Sequence, residues 1–250
     1  AGLASAPKQI HHQGHYETRY AHYDILIIGA GPAGLIAALQ AARSGVRVML
    51  ADDGLEAGGN LLSQRVKIDG KDAIDWIRGM TTLLDSMDNV TRLTEATVWA
   101  YREHNLLVIT ERSPTTQNVF QRSWRVRAKQ VLIATGAIER NLVFANNDRP
   151  GVMMASAIQA YVNRYAANPG KRAVLFANNN SIYSVARDLR AAGVALVAIV
   201  DSRGQVNDLP YDLQDIQLFS NSVVEQCHGN RRLRAVTIKN PTTGETTEVE

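Results

Sequence analysis

The chain contains a single cysteine, Cys227, among 250 residues. One thiol excludes an internal disulfide, a dithiol redox centre and a metal site built from several cysteines, and it points to a cytoplasmic location. Long apolar runs are also lacking. The stretch 194–200 is among the longest, and it stops far short of the ~18 residues that a membrane-crossing helix needs, so no membrane role is expected. The opening residues, AGLASAPKQIHHQGHYETRY, hold no apolar segment of the kind a secretory leader carries. Charge of one sign is scarce as well. Lys and Arg number 27 against 24 Asp and Glu, a net charge of +3, and the arginines are scattered rather than striped. No nucleic-acid partner is expected from that distribution. What the chain does have is a globular complement of 45% hydrophobic residues. At ~150 residues per domain, its length suits one large domain or two small ones.

Residues 1–22 are polar and carry His11, His12, His15 and His22. They read as an irregular lead-in, because so polar a stretch cannot bury a core. The HHQGH run has no carboxylate within it and poor helical spacing, so solvated chain is a better reading than a metal site. An apolar, β-branched strand follows at 24–28. It runs into Gly29-Ala-Gly31-Pro-Ala33-Gly34, then into the good helix formers LIAALQAARSG, and then into a second strand at 46–51 that ends in Asp52-Asp53. This is a complete β-α-β unit. Residues 54–70 form a glycine-rich loop. Residues 72–87 place Ala73, Ile77, Met80, Leu84 and Met87 on one helical stripe that reads as core packing. Strand patterns at 94–101, 106–112 and 120–128 suggest an antiparallel meander, and 131–134 a separate buried strand. After a linker at 146–151, a helix is expected at 152–166. A second β-α-β unit is expected at 173–177, 181–192 and 194–200, ending in Asp201. The tail breaks off at TTGETTEVE in an apparent hairpin, as an internal piece of a longer chain would. The predicted fold class is α/β: a Rossmann-like parallel sheet with an antiparallel β-meander, followed by a second, incomplete Rossmann-like unit. The expected domains are 23–145, binding a dinucleotide, and 146–250, nucleotide-like, vestigial and truncated.

A GxGxxG pattern alone is weak, but here a strand precedes it, a helix follows it and an acid closes the next strand. Gly29 permits the tight turn out of the strand, Gly31 lets a pyrophosphate approach bare backbone, and Gly34 lets helix and strand pack closely. The helix N-terminus offers unpaired N–H groups to the phosphates. Asp52 is placed to accept hydrogen bonds from the adenosine ribose, with Asp53 beside it. Those acids disfavour a 2′-phosphate and hence NADP, but they do not separate NAD from FAD. In the second unit the glycine positions fall on Ala177, Asn179 and Ile182, which side chains close to a phosphate. Either that unit binds no nucleotide, or its Asn-rich turn binds something else. No catalytic residue is assigned. The pair Glu139-Arg140 could be functional or structural, and His104 and His228 lie in turns.

The order GAGPAG, acid pair, GG loop, ATGA and second nucleotide-like unit resembles the two-dinucleotide-binding flavoprotein superfamily. The stretch ATGAIERNLVFANNDRPGVMMASAIQAYVNRYAANPGKRAVLFANNNS is more specific. It is similar to the family of α subunits of heterotetrameric sarcosine oxidases, and more distantly to opine-oxidase and cyanide-synthase subunits. The resemblance spans residues 18–250. It implies a longer chain with further sequence at both ends, including a tetrahydrofolate-binding domain, and partner β, γ and δ subunits. It also implies NAD in this chain, and FAD and FMN in the complex. The amine oxidised would be sarcosine, with oxygen reduced and formaldehyde released or captured on tetrahydrofolate. Carried onto this sequence, the NAD contacts are Gly29, Gly31, Ala33 and Gly34 at the turn, Asp52 and Asp53 at the ribose, Gly54 and Asn60 in the next loop, and the backbone of Val98 at the adenine. The competing readings are a free-standing FAD-dependent pyridine-nucleotide oxidoreductase and a purely structural NAD-binding subunit.

Overall fold

The computed structural model describes residues 15–112, 119–204, 206 and 208–250. They form two compact units. The first takes the described residues up to Leu61 together with Val66–Gly136, and the second takes Leu62–Arg65 with Ala137–Glu250.

In chain order the first unit runs β1 (His15–Ile28), α1 (Pro32–Arg43), β2 (Val48–Ala51) and a short hairpin of β3 (Lys67–Ile68) and β4 (Lys71–Asp72). It continues with α2 (Ala73–Asp85), β5 (Val90–Leu93), β6 (Ala96–Arg102), β7 (Leu106–Arg112) and β8 (Val119–Ile133). Six of these strands form one sheet in the order β5-β2-β1-β8-β7-β6. The pairs β5-β2, β2-β1 and β1-β8 are parallel, whereas β8-β7 and β7-β6 are antiparallel. Parallel neighbours need crossovers, and α1 supplies the one between β1 and β2. That helix buries Gly34, Leu35, Ala38, Leu39 and Ala42, and α2 buries Ala73, Trp76, Ile77 and Leu84. Met80 and Met87, expected on the α2 stripe, are only half-buried. The core under the meander is built from Leu26, Met49, Leu107, Ile109, Trp124 and Val126, with Val98 packed against it.

Two expectations fail here for one reason. Residues 15–22, expected to be irregular, are the first half of β1; and the strands expected at 120–128 and 131–134 are one strand, β8. β1 and β8 pair in parallel from His15↔Val119 to Ile28↔Ile133. Each strand therefore satisfies much of its partner's backbone, with a register shift between His15 and Tyr16. Glu17 adds a long-range tie by accepting from Arg122 Nε at 2.7 Å, and Glu111 accepts from Arg122 Nη1 at 3.1 Å and from the Trp124 indole at 2.8 Å. A polar sequence can hold a strand when a distant partner satisfies its backbone and its charges. His11 and His12 lie outside the described residues.

The second unit contains α3 (Ala155–Asn163), β9 (Arg172–Ala177), α4 (Ile182–Ala191), β10 (Ala195–Asp201) and β11 (Gln217–Phe219). β12 (Val223–His228), β13 (Ala235–Lys239) and β14 (Thr246–Val249) follow. β11-β10-β9 is a parallel sheet, and β12-β13-β14 an antiparallel one. α4 buries Ile182, Val185, Ala186 and Leu189 against Leu175 and Ile199. Helix α3 is shorter than the expected 152–166, because residues 152–154 precede its first turn. That turn contains no acid of its own. Glu139 reaches it from upstream, its two carboxylate oxygens accepting from the N–H groups of Ala155 at 3.0 Å and Ser156 at 2.7 Å. Glu139 is thus a helix cap whose charge complements the helix dipole, and among the described residues it forms no ion pair with Arg140. Cys227 is buried, and burial pushes its thiol pKa up, which makes it an inert core residue.

Candidate dinucleotide site

The turn between β1 and α1 sorts its three glycines by what surrounds them. Gly29 has φ +103°, and a β-carbon there would lie 2.4 Å from the Ala134 carbonyl oxygen at the end of β8. A β-carbon on Gly34 would lie 1.8 Å from the Gly29 carbonyl oxygen. Both positions therefore exclude any side chain because backbone fills the space. Gly31 differs: a β-carbon there meets nothing within 4 Å. The bareness of Gly31 serves no internal packing, and it leaves open the place where a phosphate needs backbone alone.

Helix α1 starts beside that space. Gly31 is its N-cap, Pro32 follows, no side chain caps it and no acid sits in its first turn. Its uncompensated N-terminal N–H groups and dipole suit a diphosphate. Ala33 is exposed in that first turn. The GG loop closes the other flank. Gly58 N–H donates to the Ala30 carbonyl at 2.8 Å, and a β-carbon on Gly59 would sit 3.2 Å from Gly31 Cα. Asn60 follows in a short 3-10 turn with its side chain exposed.

Asp52 occupies the end of β2, where its two carboxylate oxygens tie the loops together. Oδ2 accepts from Ala30 N–H at 2.5 Å and Oδ1 from Gly54 N–H at 2.8 Å. Each carboxylate oxygen retains a second lone pair that can accept from a hydroxyl. Asp53 is exposed, and among the described residues its carboxylate has no partner. Gly54 in turn accepts from Glu95 N–H, and Asp52 O accepts from Ala96 N–H, which brings the start of β6 to this loop. Val98, two residues further along β6, is half-buried and paired with Ile109. Because β6 is the sheet's edge strand, one side of its backbone there has no strand partner among the described residues. Every sequence-derived site residue thus lies in the first unit; the contacts above join Gly29 to Gly34 and Asp52 to Gly54, while Asp52 reaches the turn through Ala30 and Gly31 meets Gly59. Missed from sequence were the Ala30 N–H and the docking of Gly58-Gly59 on the turn. The GG doublet after the acid pair was their only signal.

The second unit places equivalent elements around a different filling. Asp201, fully buried at the end of β10, accepts from Arg203 N–H and Nε at 2.9 Å each, and from its Nη2 at 2.7 Å. The same Nη2 donates to Asn180 Oδ1 at 2.8 Å. Asn179 Oδ1 accepts from Ser181 N–H at 2.9 Å and Oγ at 2.5 Å. The acid and the Asn-rich turn are bridged by the chain's own guanidinium. Burial raises the Asp201 pKa, but the Arg203 hydrogen bonds and charge outweigh it and hold the carboxyl below its ordinary value. His228 Nε2 lies 2.6 Å from Thr237 Oγ1, and His104 takes a positive φ in its turn. Among the described residues no group of three or more His, Cys, Asp and Glu is arranged to hold a metal.

Residues 23–179 match the model of a family described as pyridine nucleotide-disulphide oxidoreductase. The chain is 48% identical over 194 residues to the sarcosine oxidase α subunit of Rhizobium meliloti (strain 1021), covering 75% of this chain and 20% of that protein. It is 40% identical to the sarcosine oxidase α subunit of Corynebacterium sp. (strain U-96), covering 77% and 21%. An opine oxidase subunit from Agrobacterium tumefaciens (strain Ach5) is 32% identical, over 72% and 37%. The chain thus spans about a fifth of the length of the sarcosine oxidase relatives. Among solved structures, thioredoxin reductase of T. acidophilum has a TM-score of 0.68 at 20% identity, covering 92% of this chain and 74% of that one. L-Proline dehydrogenase of P. horikoshii has a TM-score of 0.67 at 21% identity, covering 96% and 42%. At such identities those two show the fold. With the sheet, the glycine turn and the acid at β2 in place, the family match over residues 23–179 establishes that the chain belongs to the pyridine nucleotide-disulphide oxidoreductase family.

Proposed function

We propose that the chain is the NAD-holding portion of the α subunit of a sarcosine oxidase-like complex. In this reading residues 23–145 hold the cofactor, while residues 146–250 form a second nucleotide-like domain that stays empty. The whole complex, with β, γ and δ partners in the cytoplasm, would demethylate sarcosine oxidatively to glycine. Formaldehyde or methylene-tetrahydrofolate and hydrogen peroxide are the other products. FAD and FMN would reside in the complex, and tetrahydrofolate would bind to parts of the α subunit outside these 250 residues.

The observation that carries this reading is the open face of Gly31 between two glycines that backbone fills. NAD, when bound, supplies a nicotinamide able to accept or donate hydride. The residues fit its ADP half. Gly29, Gly31, Ala33 and Gly34 would receive the pyrophosphate at the uncapped start of α1. Asp52 and Asp53 would accept from the ribose hydroxyls, Gly54 and Asn60 would border the loop, and the backbone edge at Val98 would meet the adenine. NAD rather than FAD at this site is what the resemblance to sarcosine oxidase α subunits implies, and the glycine turn and acid suit the ADP half of either. The single cysteine argues against dithiol chemistry. Mass spectrometry of the nucleotide released when the full-length protein is denatured tests the assignment. NAD at one per chain supports it, and FAD in its place overturns it.

A further inference from the structure

We propose that the turn between β12 and β13 is a binding site for an oligoanion, a small ligand carrying two or more phosphate or carboxylate groups. The turn is the sequence His228-Gly-Asn-Arg-Arg-Leu-Arg-Ala235. Gly229, Asn230, Arg231, Arg232 and Arg234 line a cleft of about 800 Å³. The three arginines are exposed. A fourth, Arg149 on the neighbouring 146–151 loop, is half-buried and donates from Nη1 to Asn230 Oδ1 at 3.5 Å. Among the described residues none of the four has a carboxylate partner, although most arginines with a partner in this chain are tied to Asp or Glu. Arg149 Nε is buried without any hydrogen-bond partner. Arg149 does not line the cleft, but its charge, without a carboxylate beside it among the described residues, adds to the positive field there.

Backbone contacts tie the turn to the neighbouring loop. Gly229 has φ +125°, and a β-carbon there would lie 2.1 Å from the Arg232 carbonyl oxygen. Arg234 N–H donates to the His228 carbonyl at 2.9 Å, and Leu233 N–H to the Pro150 carbonyl at 2.8 Å. A β-carbon on Gly151 would lie 3.1 Å from Leu233 Cβ, so the loop and the turn are in close contact. The arginine side chains therefore leave a fixed backbone, and the ligand has only those side chains to order. Ligand sites of this volume usually present apolar walls that read shape. This one offers only glycine, asparagine and arginine, so it reads charge. Arginine forks match phosphate and carboxylate in the same bidentate geometry, and the proposal names the chemistry those two share. The cluster lies in the second unit, and the proposal does not depend on the cofactor assigned to the first.

Isothermal titration of the full chain with tripolyphosphate and, separately, with penta-glutamate at low salt tests it. The expected result is saturable binding of at least one probe, weakened at least tenfold in the double variant Arg231→Gln/Arg232→Gln. Binding by tripolyphosphate alone identifies a phosphate ligand, and binding by penta-glutamate a carboxylate one. Arg125→Gln/Arg127→Gln on β8 removes the same charge elsewhere and should leave the affinity unchanged. Thermal melting confirms that each variant is folded. No saturable binding of either probe, or equal losses in the two double variants, overturns the proposal.

Discussion

Gly31 and Gly34 stand three residues apart and demand opposite experiments. Alanine at Gly34 drives a methyl group into the Gly29 carbonyl, 1.8 Å away, so either helix α1 or the turn must move. Overpacking against backbone predicts a loss of about 3 kcal/mol or more, read as a lower melting temperature. Alanine at Gly31 meets open space at an ordinary φ of −68°, so stability should stay within about 0.5 kcal/mol. The same methyl occupies the phosphate's approach and should weaken nucleotide binding at least tenfold in a titration. Unchanged affinity in Gly31→Ala would remove the glycine turn from the site. Asp52 and Asp53 divide in the same way. Asp52→Ala deletes two charge-assisted hydrogen bonds, to Ala30 and Gly54, and should cost about 2–4 kcal/mol of stability as well as affinity. Asp53→Ala, on an exposed carboxylate, should lower affinity alone. Equal melting temperatures for wild type and Asp52→Ala would contradict the tie drawn between the two loops.

Among the elements, α4 and β10 carry the corresponding prediction for the second unit. Arg203 is the counter-charge of the buried Asp201, whose carboxyl it holds low. In the wild type that pair stabilises the fold above the ordinary carboxylate range, and the contribution is lost as pH falls below it. Arg203→Gln leaves the carboxylate buried without its cation, and burial then raises the Asp201 pKa. The sign reverses: the variant should lose stability as pH rises through the carboxylate range. Its melting temperature should fall by several degrees at pH 7 and by less at pH 4. An identical deficit at both values would mean that Asp201 is not the group responsible. Sequence made the β-α-β units legible because each is a local pattern: β-branched strand, glycine turn, good helix formers, strand, acid. It hid the role of Glu139, since a cap borrowed from sixteen residues upstream leaves no mark on the helix it serves. It hid the Arg203 bridge too, because nothing in Asp-Ser-Arg states that the acid is buried. The first half of β1 was illegible for the same cause, its partner lying beyond the reach of any local pattern.

For the whole molecule, the two units have different standing. The first presents an open glycine turn and a free acid, whereas in the second the acid and the turn are taken up internally. In the proposed reading, the flavins that would exchange electrons with the substrate reside in the partner subunits. The purified 250-residue chain should therefore release no hydrogen peroxide from sarcosine above a flavin-only blank, whether or not flavin is added. Turnover above that blank would show the chain to be an enzyme by itself.

Strand β1 sets the order in which this molecule can assemble. Glu17 meets Arg122 across 105 positions of sequence, and the ladder between the two strands runs from His15 to Ile28 without any local substitute. Closing so large a loop must precede the contacts that reward it, and high contact order slows folding. On a ribosome, β1 can pair with β2 over Ile25–Ile28, but its other edge waits for the last strand of the sheet. Until then Tyr16 and Tyr20 sit on an unpaired edge beside an apolar one, Ile25–Ile28, able to pair with other nascent chains. Cell-free synthesis of these 250 residues should therefore leave more insoluble chain when chaperones are depleted than when they are supplied.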